Sequence, residues 1–220
     1  MPTTVAPARP RRTQAERRTA TRAALVAAAV EMVVRDNTAD VRLNEVAALA
    51  GVTKGAIQHH FASKVDLRLA VVEAGWMDLI DRIESIGPVE GPLADRIDLL
   101  VDKMWESYSR DVCHAAFVIA TTTPPDSELV GRQEHLYRSA RDTLERIWAA
   151  ALADTGLGPE ALRAVRRFVR IYITGLLTHR RVDPDTPPTG PQLETLKAVL
   201  AQMLSQQIPL GVADPGVPSR

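Results

Sequence analysis

A single cysteine, Cys113, stands among the 220 residues. With no second thiol, no disulfide can form within one chain and a cysteine-based zinc site is excluded. Cys113 itself reads first as a small buried apolar residue and second as a redox sensor or a thiol placed against a ligand. Also absent is any run approaching the roughly 18 to 20 apolar residues of a membrane span. The stretch from Met1 to Arg22 is rich in Pro, Arg and Thr and holds no apolar core of a secretion signal. A cytoplasmic protein with no membrane partner is therefore expected. Alternation of apolar and polar residues at period two is nowhere sustained, which argues against a sheet. No HExxH metal motif, nucleophile motif, phosphate-binding glycine loop or cysteine pair occurs. Neither a metal site nor a cofactor is expected.

The chain also lacks net charge, with 27 Lys and Arg against 27 Asp and Glu. Its distribution is uneven. Residues 1–70 hold eleven basic and six acidic residues, so the first third is basic and the remainder acidic, as in a phosphate-binding module joined to an acidic body. Hydrophobic residues make up 45% of the sequence and charged residues 25%, the composition of an ordinary globular chain.

Apolar residues recur at helical spacing almost throughout, predicting an all-α protein of about nine helices. The first is expected from about Thr13 to Arg35, with Leu25, Ala28, Ala29, Met32 and Val33 on one buried stripe. Short helices follow at Leu43 to Ala50 and Thr53 to His60, separated by Gly51. Ser63 caps a long fourth helix that ends before Gly87-Pro88, with Leu69, Val72, Trp76, Leu79, Ile80 and Ile83 along its stripe. Further helices are expected at about Leu93 to Ser109, Asp111 to Thr122, Ser127 to Thr155, Pro159 to Arg181 and Gln192 to Gln207, with Pro124-Pro125, Gly156 to Pro159 and Pro184 to Pro191 between them. The domain reading is a disordered arm at 1–12, a three-helix head at 13–68, a larger helical body at 69–208 and a disordered tail at 209–220.

The run from Val41 to Lys64 carries the function. Val46, Ala47, Ala50, Val52, Ile57 and Phe61 are its candidates for the inside. Small Ala47 admits a close helix crossing, and Gly51 takes the positive φ that reverses the chain. Two short helices at a steep angle form a helix-turn-helix, whose second helix fits the major groove of DNA. Lys54, Gly55, Ala56, Gln58 and His59 then face away from Ile57 and Phe61. Gln58 suits adenine, Lys54 suits guanine acceptors and Ala56 suits a thymine methyl, while Gly55 allows close approach. Thr53, His60 and Lys64, with Arg17, Arg18 and Arg42 from the basic flanks, suit phosphate oxygens.

Residues of roughly 13 to 68 resemble the N-terminal domain of the TetR family of transcriptional regulators, whose motif runs Ala-Gly-Val-Ser/Thr-x-Gly-x-Ile/Leu-Tyr-x-His-Phe-x-x-Lys. Ala50-Gly51-Val52-Thr53-Lys54-Gly55-Ala56-Ile57 matches it, as do His60-Phe61 and Lys64. Gln58 stands where the family usually has a phosphate-contacting tyrosine. The resemblance implies an all-helical homodimer that binds a near-palindromic DNA operator, usually as a repressor released by a small-molecule effector.

In the second half, Leu162, Val165, Val169, Tyr172, Ile173, Leu176 and Leu177, then Leu193, Leu196, Leu200, Met203 and Leu204, form two apolar stripes. A two-fold dimer could pack them as a four-helix bundle; the alternative is burial against their own body. A mostly apolar effector is expected among helices four to eight, with Trp76, Ile80, Met104, Trp105, Tyr108, Phe117, Tyr137, Leu144, Trp148, Phe168 and Tyr172 as lining, Met77 as a further candidate, and Arg170 or His179 as orienting groups. Most large apolar side chains at this spacing fill core, so only about a third are expected to touch a ligand. Two other readings compete. An all-α enzyme using His59-His60 or His114 is poorly served, because adjacent helical residues point about 100° apart. A helical ligand-binding or interaction module without DNA binding keeps the fold and drops the reading head.

Overall fold

In the computed structural model, residues 13–124, 127–182 and 190–206 are described. They form nine α-helices and no strand: α1 (Gln14–Asp36), α2 (Leu43–Leu49), α3 (Lys54–His60), α4 (Lys64–Glu84), α5 (Leu93–Tyr108), α6 (Asp111–Thr122), α7 (Glu128–Ala151), α8 (Pro159–Val182) and α9 (Gly190–Ser205). A 3-10 turn at Ala153–Thr155 follows α7. The expected arm at 1–12 and tail at 209–220 lie outside the described residues.

Local chemistry explains where the first helices begin and end. Thr13 and Glu16 form a reciprocal capping box at the start of α1, with the Glu16 amide donating to Thr13 Oγ1 and the Thr13 amide to Glu16 Oε2. Asn37, at φ 46°, ends the helix in the left-handed region. Ser63 opens α4 by accepting from the Asp66 amide at 3.1 Å, while its hydroxyl donates to the Asp66 carboxylate at 2.8 Å. Two expected boundaries move. α7 stops at Ala151, where the chain tightens into the 3-10 turn, and α9 starts at Gly190, because Pro191 sits in a first helical turn that needs no amide donor.

α4 is the central strut, packing against α1, α5, α6 and α7. Around it lie two cores. One joins α1, α2, α3 and the first half of α4 to Ala115, Val118 and Ile119 of α6 and Leu129 of α7. The other fills the space among the second half of α4, α5, α7, α8 and α9. Trp76 and Val112 border both. The position expected to divide head from body, 68/69, lies inside α4, so the two parts share one continuous helix.

The stripes of α8 and α9 turn inward. Val165, Val169 and Ile173, with Leu193, Leu196, Leu200 and Leu204, are buried in the second core, while Leu162, Tyr172, Leu176 and Leu177 pack partly buried against it. The apolar side chains left outside on these helices are others: Phe168, Ile171 and Val199. Periodicity identified a buried face on each helix; burial against the chain's own body is what these residues do here.

Candidate nucleic-acid interface and internal cavity

The turn between α2 and α3 is built from the backbone outward. Gly51 has φ 66°, and a Cβ there would meet nothing within 4 Å, so glycine is required by the backbone angle alone. Val52 then donates back to the Ala47 carbonyl at 2.9 Å. Thr53 caps α3, accepting from the Ala56 amide at 3.2 Å. Ile57 and Phe61 are buried and pin the helix to the first core. With that face fixed, Lys54, Gly55, Gln58 and His59 stand exposed, and Ala56 and His60 are half-buried at the margins.

Helix α1 supplies charge beside this face. Arg17 and Arg18 are exposed, and Arg22, one turn beyond Arg18, lies over the Phe61 ring at 5.2 Å from its centroid. Burial pushes the His60 imidazole below its usual range, helped by the nearby charges of His59, Arg18 and Arg22. A neutral imidazole with cations around it marks where α1 and the end of α3 meet. Arg22 was not among the residues expected from sequence; its helical spacing from Arg18 is the signal that could have found it. Two expected phosphate contacts are already engaged: Lys64 pairs with Asp40 at 3.2 Å, and Arg42 with Glu45 at 2.7 Å and Asp36 at 2.8 Å. Such exposed pairs contribute at most about 1 kcal/mol, so a phosphate can compete for both cations.

A cavity of about 370 Å³ lies among α4 to α8. It brings together Trp76, Tyr108, Phe117 and Tyr137 of the expected lining, with Arg170. Trp76 and Tyr137 meet edge to face at 5.3 Å. The other expected lining residues are elsewhere. Met104, Leu144 and Trp148 are buried in the second core, with Trp105 packed against it. Phe168 is exposed, and the Tyr172 hydroxyl donates to the Gln192 carbonyl at 3.3 Å. Neither these two nor Ile80 or Met77 borders the cavity, and Met77 is exposed. Among the described residues, no three His, Cys, Asp or Glu side chains gather as a metal site, and no helix is long and apolar enough to cross a membrane.

The family model for bacterial regulatory proteins of the tetR family matches residues 25–71, spanning most of α1, the two short helices and the start of α4. The HTH-type transcriptional regulator CymR of Pseudomonas putida is 29% identical over 166 residues, 76% of this chain and 82% of that protein. The chain belongs to the TetR family of transcriptional regulators. Solved structures share its fold: a transcriptional regulator from Rhodococcus sp. Rha1 superposes with a TM-score of 0.67 at 24% identity, covering 84% of this chain and 96% of that one. FadR from Bacillus subtilis, solved with stearoyl-CoA, gives 0.62 at 18% identity over 83% and 96%. As a TetR-family member, the protein is a DNA-binding transcriptional regulator that responds to a ligand.

Within this TetR-family fold, the cavity wall contains residues that sequence periodicity did not single out as lining, including Gly75, Cys113, Ala116, Gln133 and Thr174. Most are small or polar, and periodicity weights large apolar side chains. Gly75 had a local signal, as a glycine inside a strong helical pattern that marks close packing. A Cβ at Gly75 would lie 2.5 Å from Ala116 Cβ and 2.8 Å from the Val112 carbonyl, so α4 and α6 cross in backbone contact there. The Cys113 thiol donates to the Gly75 carbonyl across that crossing at 3.3 Å, and burial pushes its pKa up to about 12. It is an inert packing thiol as well as part of the wall.

Proposed function

We propose that the protein is a homodimeric repressor that acts in the cytoplasm, reads a near-palindromic operator with two copies of its head and leaves that operator when a small, mostly apolar effector fills the cavity. In this reading residues 13–68 act as the DNA-binding domain and residues 69–208 as the regulatory and dimerisation domain. Lys54, Gly55, Ala56, Gln58 and His59 meet base edges. Arg17, Arg18, Arg42, Thr53, His60 and Lys64 hold the backbone, and Arg22 joins them. The carrying observation is the exposed polar face of α3, held from behind by buried Ile57 and Phe61 and flanked by the basic turns of α1. Phosphate contacts position such a helix, and base contacts give it sequence.

Selection of bound fragments from random DNA, followed by gel shifts at rising salt, tests this. A two-fold-related motif is expected, with affinity falling steeply as salt releases fewer counterions. No binding at low salt would sink the DNA-reading assignment and leave a helical ligand-binding module.

A further inference from the structure

The cavity's polar groups define what its ligand must carry, if the cavity is the effector site as proposed above. Most of the wall is apolar, with Trp76, Leu79, Ala116, Phe117, Ala120 and Val130. Two of the polar wall residues are spoken for by their own helices: Thr121 donates to the Phe117 carbonyl at 2.8 Å and Thr174 to the Arg170 carbonyl at 2.9 Å. Glu134 is held outward by Arg138 at 2.7 Å. Three groups then remain. The Tyr108 hydroxyl is buried with no hydrogen-bond partner, and so is Gln133 Oε1. Arg170, half-buried, has no carboxylate against it among the described residues, whereas Arg166, one turn earlier on α8, pairs with Glu145 at 3.3 Å.

Two of these three groups are donors, and the third can become one. Burial pushes the Tyr108 phenol up to about 12, so it keeps its proton. Gln133 offers its NH2 in place of its oxygen once its terminal amide turns over. Buried polar atoms without partners are rare enough to need a reason, and a cation facing an apolar cavity without a counterion is disfavoured. We infer that the effector is a small organic carboxylate with an aromatic or compact apolar body, its anionic end taken by Arg170 and the Tyr108 hydroxyl and its body lying against Trp76 and Phe117. A carboxylate has only acceptors to give, and its two oxygens fit a guanidinium fork while leaving lone pairs for a phenol and an amide. An amine would repel Arg170, and a neutral isostere would leave it uncompensated. The volume of about 370 Å³ lies near the small end of the roughly 300–1,000 Å³ of ligand pockets, which suits a one- or two-ring acid.

The test uses the full chain and a matched pair of probes, 2-naphthoate and 2-naphthamide, titrated by calorimetry. The acid is expected to bind about tenfold or more tightly than the amide, the scale of a charge-assisted hydrogen-bond pair. Arg170→Met should remove that preference while leaving amide binding unchanged, which also reports that the variant is folded. Arg170→Lys should recover part of the preference, and Tyr108→Phe should weaken the acid alone. Equal binding of acid and amide, an unchanged preference in Arg170→Met, or no acid binding at millimolar concentration would each overturn the assignment. The two proposals fail separately. If the acid binds through Arg170 but no DNA is selected, the carboxylate site stands and the repressor reading falls. If 2-naphthamide releases the selected DNA and the acid does not, the effector cavity stands and the carboxylate falls.

Discussion

At the scale of single residues, the reading head was legible because each of its structural demands picks out one kind of side chain. Gly51 needs a positive φ, Ile57 and Phe61 must be buried, and Thr53 must accept an amide; a sequence displays all of these locally. The partners of its cations were not legible. Nothing in the spacing of Asp40 and Lys64, 24 positions apart, shows that the carboxylate sits 3.2 Å from the ammonium. That pair yields a prediction. Asp40→Asn should free Lys64 for phosphate and raise affinity for all DNA sequences alike by roughly threefold, the scale of one exposed ion pair; equal gains on operator and random DNA in a gel shift are the check. Gln58 behaves differently if it reads a base. Gln58→Ala should cost operator affinity about tenfold, within the range of one bidentate base contact, and broaden the selected motif at one position of each half-site. A loss of affinity with an unchanged motif would make it a phosphate contact, like the tyrosine usual at that place.

At the scale of elements, helix periodicity finds an inside face but does not say what lies across from it. Met104, Leu144 and Trp148 are on inside faces, and the structure fills the space opposite them with other core residues rather than with a cavity. The cavity forms instead where α4 and α6 approach through small residues, leaving Trp76 and Phe117 to border open volume. Because α4 continues from the end of the reading helix to this crossing, a shift of α6 against α4 is positioned to move the head. α7 adds a second tie: Val130, Gln133 and Tyr137 line the cavity, and Arg132 pairs with Asp66 in the first turn of α4 at 2.8 Å. Gly75→Ala tests the crossing. Its methyl would press on Ala116 and on the Val112 carbonyl, and a backbone atom cannot turn aside as a side-chain tip can. Overpacking of this kind costs roughly 1–3 kcal/mol, seen as a lower urea midpoint with an unchanged slope. Release from DNA by a bound effector should weaken too, and a variant with unaltered stability would show that the crossing is looser than its contacts imply.

For the whole molecule, the question is how two heads are held at a fixed spacing. The inner faces of α8 and α9 are already committed to the second core, so a dimer must use what remains outside. Phe168 and Ile171 project from one side of α8, with Ile171 58% exposed, and Val199 is the exposed large apolar residue of α9. A second copy of the chain meeting this face about a two-fold axis would cover apolar surface that a lone protomer leaves in water. Ile171→Asp separates folding from assembly. The side chain contributes little to the protomer, and surface substitutions of this kind usually change stability by less than about 0.5 kcal/mol, so the thermal midpoint of dissociated protein should hardly move. In the dimer the same carboxylate would be buried against apolar neighbours without a partner, which is strongly unfavourable. Light scattering should then report a mass near the 24.0 kDa of one chain. Operator affinity should fall by about a hundredfold or more, since joining two weak heads raises avidity by roughly 10² to 10⁴ without any new contact. Binding to a half-site, which uses one head, should be unchanged. A variant that stays dimeric and keeps full operator affinity would place the interface on another face of the body.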